Sequence, residues 1–162
     1  RDLYNWLSDF FENLMVSMEK HVFSNIYCEF NDLVSKWFSV WIGDETITLR
    51  LNNEFTPTLE QNGYETEIEK LSGGEKTAVA LSYRLALNKV INDMVSSINT
   101  KDIIILDEPT DGFSSEQLDK VKEVIDELAL KQIIIVSHES KVEGFVDNII
   151  RIEKNGHESK VV

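Results

Sequence analysis

The sequence predicts an α/β fold: a mainly parallel sheet flanked by helices, a small antiparallel meander, and a long N-terminal helix. Three observations carry this. Ile103-Ile104-Ile105-Leu106 and Ile133-Ile134-Ile135-Val136 are apolar on both faces, as parallel strands covered by helices must be. Helical spacing occupies the stretch between them, and Thr46 to Leu51 alternates strictly, as a half-exposed strand does.

Taken in order, residues 1 to about 40 read as one helix. Leu3, Leu7, Phe10, Leu14, Met18 and Val22 recur at three-or-four spacing, and no Gly or Pro interrupts before Gly43. That stripe needs a cover, either a partner helix in a coiled coil or the chain's own domain; Phe and Trp abound where a coiled coil prefers Leu and Ile. Trp37, Phe38 and Trp41 at its end are expected to anchor the core. Ile47, Leu49 and Leu51 then share one face of a strand, and Asn62-Gly63 supplies a tight hairpin turn between residues 59–61 and 64–66.

The remaining elements alternate: a helix over 75–97, a strand over 103–107, a helix over 115–130 and a strand over 133–137. Two last strands, 148–153 and 158–162, turn at Asn155-Gly156 and are expected to close the sheet edge. This divides the chain into a helix over 1–41 and a lobe over 42–162.

Charge and composition narrow the function. The chain has 162 residues, 42% hydrophobic, enough for a real core. Its net charge of −13 repels phosphate backbones, which disfavours naked nucleic-acid binding by this chain alone. A lone Cys28 cannot form an internal disulfide; it points to a reducing compartment and is expected to be buried. No run reaches the roughly 18 apolar residues of a membrane span. A chain opening on Arg1 is expected to be an excised piece of a longer protein, and its location to be cytoplasmic, nucleoid-associated in a prokaryote.

Three motifs carry chemistry. Ser72-Gly73-Gly74-Glu75 is a capping box with two glycines inside it, so a helix start at which another backbone or an anion can approach. Asp107-Glu108 ends an aliphatic strand, at the edge where open parallel sheets bind ligands; Asp107 suits Mg²⁺ through water, and Glu108 suits a general base for an attacking water. His138 follows the second aliphatic strand and so reaches the same edge, where it can bond a phosphate oxygen or the reactive water. His21 and His157 have no such company and are expected to be ordinary surface residues. The loop G-x-x-x-x-G-K-[ST] that grips nucleotide phosphates occurs nowhere in the chain.

The order L-S-G-G-E, aliphatic-D-E-P-T, aliphatic-V-S-H resembles the C-terminal half of an ABC-type ATPase head, with Leu71 to Glu75 as signature motif, Ile103 to Glu108 as Walker B and His138 as switch histidine. The long entering helix is similar to that of SMC-like ATPases. Within these, Phe55-Thr56-Pro57, Gln61 to Glu65 and Ser72 to Leu81 look most like the archaeal Rad fifty proteins of DNA double-strand-break repair and the bacterial SbcC proteins. The resemblance implies that Ser72, Gly73, Gly74 and Glu75 meet ATP held by a second head, that Asp107 serves Mg²⁺, that Glu108 is the catalytic base and that His138 senses the γ-phosphate. Lys76 and Arg84, on the signature helix, would relay nucleotide state toward the coiled coil; as solvent-facing charges they have an equally ordinary reading.

The partners implied are an N-terminal half bearing Walker A, a second copy of the head, an Mre-type or SbcD-type nuclease near residues 1–41, and DNA through the assembled complex, with no membrane. Zinc belongs only to the coiled-coil apex of full-length members, outside this chain. One departure stands out: after Walker B, Phe113 and Ser114 replace a Leu and an Asp, leaving Asp111 as substitute for cross-talk between heads. ATP hydrolysis is expected only with the N-terminal half. A head of a chromosome-organising SMC or recombination-type ATPase shares the three motifs; a transporter domain fits the aromatic helix and meander less well; a catalytically decayed scaffold would account for the altered loop.

Overall fold

A computed structural model describes residues 2–95 and 102–162. The chain opens with α1 (Asp2–Trp6), a π-helical turn (Leu7–Phe11) and α2 (Glu12–Ile42), together the continuous helix that the sequence predicts. It stops where Gly43 takes a left-handed φ of 66° and its N–H closes on the Ser39 carbonyl, the usual glycine helix ending.

The meander follows as β1 (Ile47–Leu51), β2 (Pro57–Gln61) and β3 (Tyr64–Thr66), antiparallel in that order. Asn62 and Gly63 both have positive φ, 53° and 82°, the conformation that makes this residue pair suit a two-residue hairpin. Ile47, Leu49 and Leu51 face inward, as their alternation requires. The outer edge of β1 is capped by α2: Ser35 Oγ donates to the Leu49 carbonyl at 2.5 Å and Asn31 Oδ1 accepts from Leu51 N at 2.9 Å. Thus the helix covers both the apolar face and the backbone edge of the meander.

After a 3₁₀ turn come α3 (Gly73–Met94), β4 (Ile103–Asp107), α4 (Ser115–Glu127) and β5 (Gln132–Val136), with β4 and β5 paired in parallel. Residues 96 and 97, predicted to end α3, lie outside the described residues. One core joins the lower half of α2, the meander, α3, α4 and Leu106. Trp37, Phe38 and Trp41 are buried in it as expected, and Trp37 Nε1 donates to Glu127 Oε2 on α4 at 3.0 Å.

Three expectations need correction. β6 (Ile152–Asn155) and β7 (Glu158–Val161) form a hairpin of their own and do not join the parallel pair, so they close no sheet edge. Only one face of β4 and β5 is packed: Leu106 is buried, whereas Ile105 is 63% and Val136 52% exposed. Among the described residues, helices lie against a single side of that sheet, and Ile105, Ile134 and Val136 on the other side are exposed. Cys28 is exposed, because it lies on the outward side of α2 at a level where Ile26, Tyr27 and Phe30 face the lobe. The stripe from Leu3 to Val22 is likewise exposed, so it is not covered by the chain's own domain.

Candidate functional site

Two helix starts and two strand ends build the site. Ser72 caps α3 with extended backbone, and the capping box is closed in both directions: Glu75 N donates to Ser72 Oγ at 3.4 Å, while Ser72 N and Oγ both donate to Glu75 Oε2 at 2.7 Å. Glu75 is therefore occupied in fixing the cap. An ideal Cβ on Gly73 would meet no atom within 4 Å, so this glycine faces open space, as a ligand-approach position would. A Cβ on Gly74 would lie 2.6 Å from the Gly112 carbonyl oxygen, so this glycine permits a close backbone contact within the chain.

At the carboxyl end of the parallel pair, Asp107 stands on the exposed face opposite Val136. Its open carboxylate beside Glu108 fits a Mg²⁺ site of the kind that takes one protein carboxylate and completes its octahedron with water and phosphate oxygens. Glu108 adopts a φ of 43°, a left-handed conformation that costs a residue with a Cβ and persists only where its surroundings hold it. Here its N–H donates to the Val136 carbonyl at 2.8 Å, extending the ladder one residue past the strand.

This unusual backbone turns the Glu108 side chain toward β5, where His138 Nδ1 donates to Glu108 Oε2 at 3.0 Å. That hydrogen bond, with help from the charge of His138, holds the Glu108 carboxyl below its ordinary value against the opposing effect of desolvation. The reciprocal bond and charge hold the His138 imidazole above its ordinary value, with Glu139 and Asp111 adding to the effect. Both side chains remain open to solvent. The bond to His138 occupies one oxygen of the Glu108 carboxylate and leaves Oε1 able to accept from a water, so the pair orients the candidate base without blocking it.

The other expected residues divide. Ser114 caps α4 and, with Gln117, closes a second capping box. The Asp111 carbonyl accepts from Thr77 Oγ1 of α3 at 2.7 Å, tying the loop after β4 to the first turns of α3. Phe113 is buried and packs on Trp41, its ring centroid 6.0 Å away, which gives the departure from leucine a packing role. Lys76 and Arg84 are exposed on α3 and make no ion pair among the described residues. His21 and His157 are exposed, in keeping with surface residues. Sequence reasoning missed Thr77 and Gly112. The only signal was Asp111-Gly112 as a turn pair, and nothing in spacing reveals that a residue 34 positions earlier reaches it.

No protein-family profile matches the chain. Over 140 residues it is 31% identical to the DNA double-strand break repair Rad50 ATPase of Pyrococcus abyssi, an alignment covering 85% of this chain and 14% of that protein. Over 102 residues it is 41% identical to the Methanocaldococcus jannaschii protein of the same name, covering 62% and 10%. The chain thus spans between a tenth and a seventh of the length of these curated relatives. In fold it is similar to the Smc head domain with a coiled coil and joint from Pyrococcus yayanosii, at a TM-score of 0.72 and 21% identity over 94% of this chain and 30% of that one. A solved SMC ATPase described for ATP-driven dimerisation superposes at a TM-score of 0.67 and 22% identity, covering 88% of each chain.

Proposed function

From its place among the SMC-like, Rad50-type ATPase heads, as a C-terminal lobe, we infer that this chain completes an ATP-hydrolysing site with an N-terminal half that supplies Walker A. The observation that carries the reading is the meeting of Asp107, Glu108 and His138 at one sheet edge, with the Glu108–His138 bond at 3.0 Å. The uncovered sheet face at Ile105 and Val136 supports an N-terminal half packed against it.

In the assembled head Asp107 would hold Mg²⁺ through water, and the ion would neutralise charge on the ATP phosphates. Glu108 orients the attacking water and takes its proton. His138, released from Glu108 by the arriving γ-phosphate, bonds a phosphate oxygen. The open start of α3 at Ser72 and Gly73 meets the γ-phosphate of ATP held by a second head, so that nucleotide joins two heads. We further propose that the long helix is the base of a coiled coil, that a nuclease of the Mre or SbcD type docks near residues 1–41, and that DNA is engaged by the assembled complex. The acidic charge of this chain supports DNA contact being made by its partners. The meeting of Asp107, Glu108 and His138 at one sheet edge supports a catalytic lobe over a decayed scaffold.

The test is co-expression with the N-terminal half. Mg²⁺-dependent ATPase activity should appear in the assembled head and be missing from this chain alone. Glu108→Gln should lower kcat by about 10² to 10⁴-fold, the range for losing a general base, while ATP-dependent head pairing persists. Unchanged turnover in that variant would refute the base assignment.

A further inference from the structure

The backbone ladder of the parallel pair runs one residue past both strands. Asp107 stands opposite Val136, and Glu108 N donates to the Val136 carbonyl at 2.8 Å, which in a parallel ladder makes Ser137 the partner of Glu108. Side chains alternate along each strand: Ile105, Asp107, Ile134 and Val136 are exposed on one face, while Leu106 is buried and Ile135 half-buried on the other. By that alternation Ser137 belongs to the helix-covered face, and it is half-buried there. Glu108, turned toward β5 by its φ of 43°, lies beside it.

The Ser137 hydroxyl is itself held in one orientation. Its oxygen accepts from Glu139 N at 3.1 Å, a serine turn closed on the residue two positions on. Glu139 is fixed in turn: its carbonyl accepts from Val142 N at 3.1 Å, Val142 is buried, and Lys141 Nζ reaches the Ser115 carbonyl and Asp119 Oδ1 of α4, each at 3.1 Å. A hydroxyl has a single proton to give. With the oxygen of Ser137 engaged by Glu139, that proton is left for the Glu108 carboxylate. Behind the His138 ring, the His138 N–H and the Ser137 hydroxyl each help hold that carboxyl below its ordinary value.

We propose that Ser137 is a positioning residue for Glu108, the donor that keeps this carboxylate aimed when His138 leaves it. The two donors differ in their freedom. His138 lies past the end of β5 with an exposed ring that can swing to an anion, whereas Ser137 is half-buried, tied to Glu139 and beside Glu108 in the ladder. The φ of 43° fixes the backbone of Glu108 but none of its side-chain torsions, and a working carboxylate has to be held within about 10–20° of its productive geometry. A carboxylate accepts about four hydrogen bonds, so Ser137 can hold Glu108 while a water occupies another acceptor position. This deepens the ATPase reading and rests on it for the kinetic readout alone.

The experiment separates the two donors with Ser137→Ala, Ser137→Thr and His138→Ala, alone and combined. In the full chain without nucleotide, the β-proton couplings of Glu108 in NMR report whether its side chain is held. They should stay unaveraged in His138→Ala, where Ser137 alone holds the carboxylate, and collapse to the averaged values of a freely rotating side chain in Ser137→Ala/His138→Ala. Ser137→Thr/His138→Ala keeps a hydroxyl and should keep them unaveraged. In the head assembled with its N-terminal half and supplied with Mg·ATP, Ser137→Ala should lower kcat by about ten- to a hundredfold at little-changed KM, the effect of one lost hydrogen bond to a charged group. Ser137→Thr should restore the rate, and ATP-dependent head pairing should persist in both.

Couplings that stay unaveraged in Ser137→Ala/His138→Ala, or that already average in His138→Ala, would overturn the proposal, and so would a Ser137→Ala head that turns over at the unsubstituted rate. Should the combined variant fail to fold, Ser137→Ala with its threonine rescue decides alone. If the unsubstituted head hydrolyses no ATP, the ATPase reading fails, and the nucleotide-free couplings still support or overturn the positioning role.

Discussion

The two halves of the long helix are made from similar residues and meet opposite fates. Between Leu3 and Phe23 its Leu, Met, Phe and Val side chains are exposed; from Phe30 to Trp41 the aromatic residues are buried to 1% or less. Propensity and periodicity decide that both halves are helical, but they cannot decide what lies beside them. In the later half, the meander, α3 and α4 converge on one stripe, and polar side chains such as Asn31 and Ser35 satisfy the backbone edge of β1. The earlier half extends past all of these. An apolar stripe therefore reports that a partner is needed, and only the fold tells whether the chain supplies it.

The comparison breaks if both halves respond alike to truncation. Trp37→Ala should destabilise the chain by about 3–5 kcal/mol, since it empties a fully buried aromatic site and removes the indole N–H that pairs with Glu127. Phe10→Ala should stay within about 0.5 kcal/mol, because its side chain is largely in water already. Urea denaturation of both variants measures the difference. A loss at Phe10 as large as at Trp37 would mean that the early half is packed in this chain after all.

The same division runs through the parallel pair and explains what could be read from the sequence. Ile103 to Leu106 announces a strand needing cover on both faces, and the strand forms where expected. Its cover is another matter: Leu106 finds it on the α-helical side, and Ile105 finds none. The chemistry followed the same rule. Local signals placed the Ser72 capping box, the Asp107-Glu108 pair and His138, because each depends on neighbouring residues and strand ends. The Thr77–Asp111 bond and the Gly74–Gly112 contact depend on how α3 and α4 pack, so nothing in spacing disclosed them. The last hairpin misled for a related reason: alternation gives strands, but edge pairing requires a register that alternation does not contain.

The uncovered sheet face gives a sharper version of the contrast. Ile105→Glu should leave the stability of the chain within about 0.5 kcal/mol, as a substitution in water. It should weaken association with the N-terminal half by roughly 100-fold, since burying an unpaired carboxylate in place of an isoleucine costs several kcal/mol before local relaxation. Titration calorimetry on the two halves reads both partners directly, and undiminished association would show that the N-terminal half packs elsewhere.

A smaller and more local effect concerns the exposed pair at the site. Glu108 is held low and His138 high, so their mutual stabilisation exists only between those two titrations. It is lost as pH falls through the lowered Glu108 pKa, and lost as pH rises through the raised His138 pKa, with the contribution of His138 fully present below the ordinary imidazole value of about 6.5. In Glu108→Gln the His138 ring, followed by its carbon-bound protons in NMR, should titrate at a lower pH than in the unsubstituted chain, because the main cause of its upward shift is gone. A ring that titrates at the same pH would assign the shift to Glu139 and Asp111 instead.

The smallest effect lies at the far end of α4, on the well-packed side of the molecule. Both α2 and α4 end in a left-handed residue, but α2 uses Gly43 at φ 66° and α4 uses Ala129 at φ 51°. At Ala129 the N–H still closes on the Asp126 carbonyl at 3.2 Å, so the ending has the right hydrogen bond and the wrong side chain. A Cβ in this conformation costs about 1 kcal/mol, partly offset by the greater freedom glycine brings to the unfolded chain. Ala129→Gly should therefore raise the stability of the chain by a few tenths to about 1 kcal/mol, seen as a higher urea midpoint at constant slope. Gly43→Ala should do the reverse by a similar amount through its left-handed φ of 66°, since the one atom near its Cβ, Lys120 Nζ at 2.8 Å, ends a flexible side chain that can swing aside. If Ala129→Gly lowered the midpoint, the methyl group would be contributing packing that outweighs its backbone strain, and the two helix endings would differ in kind.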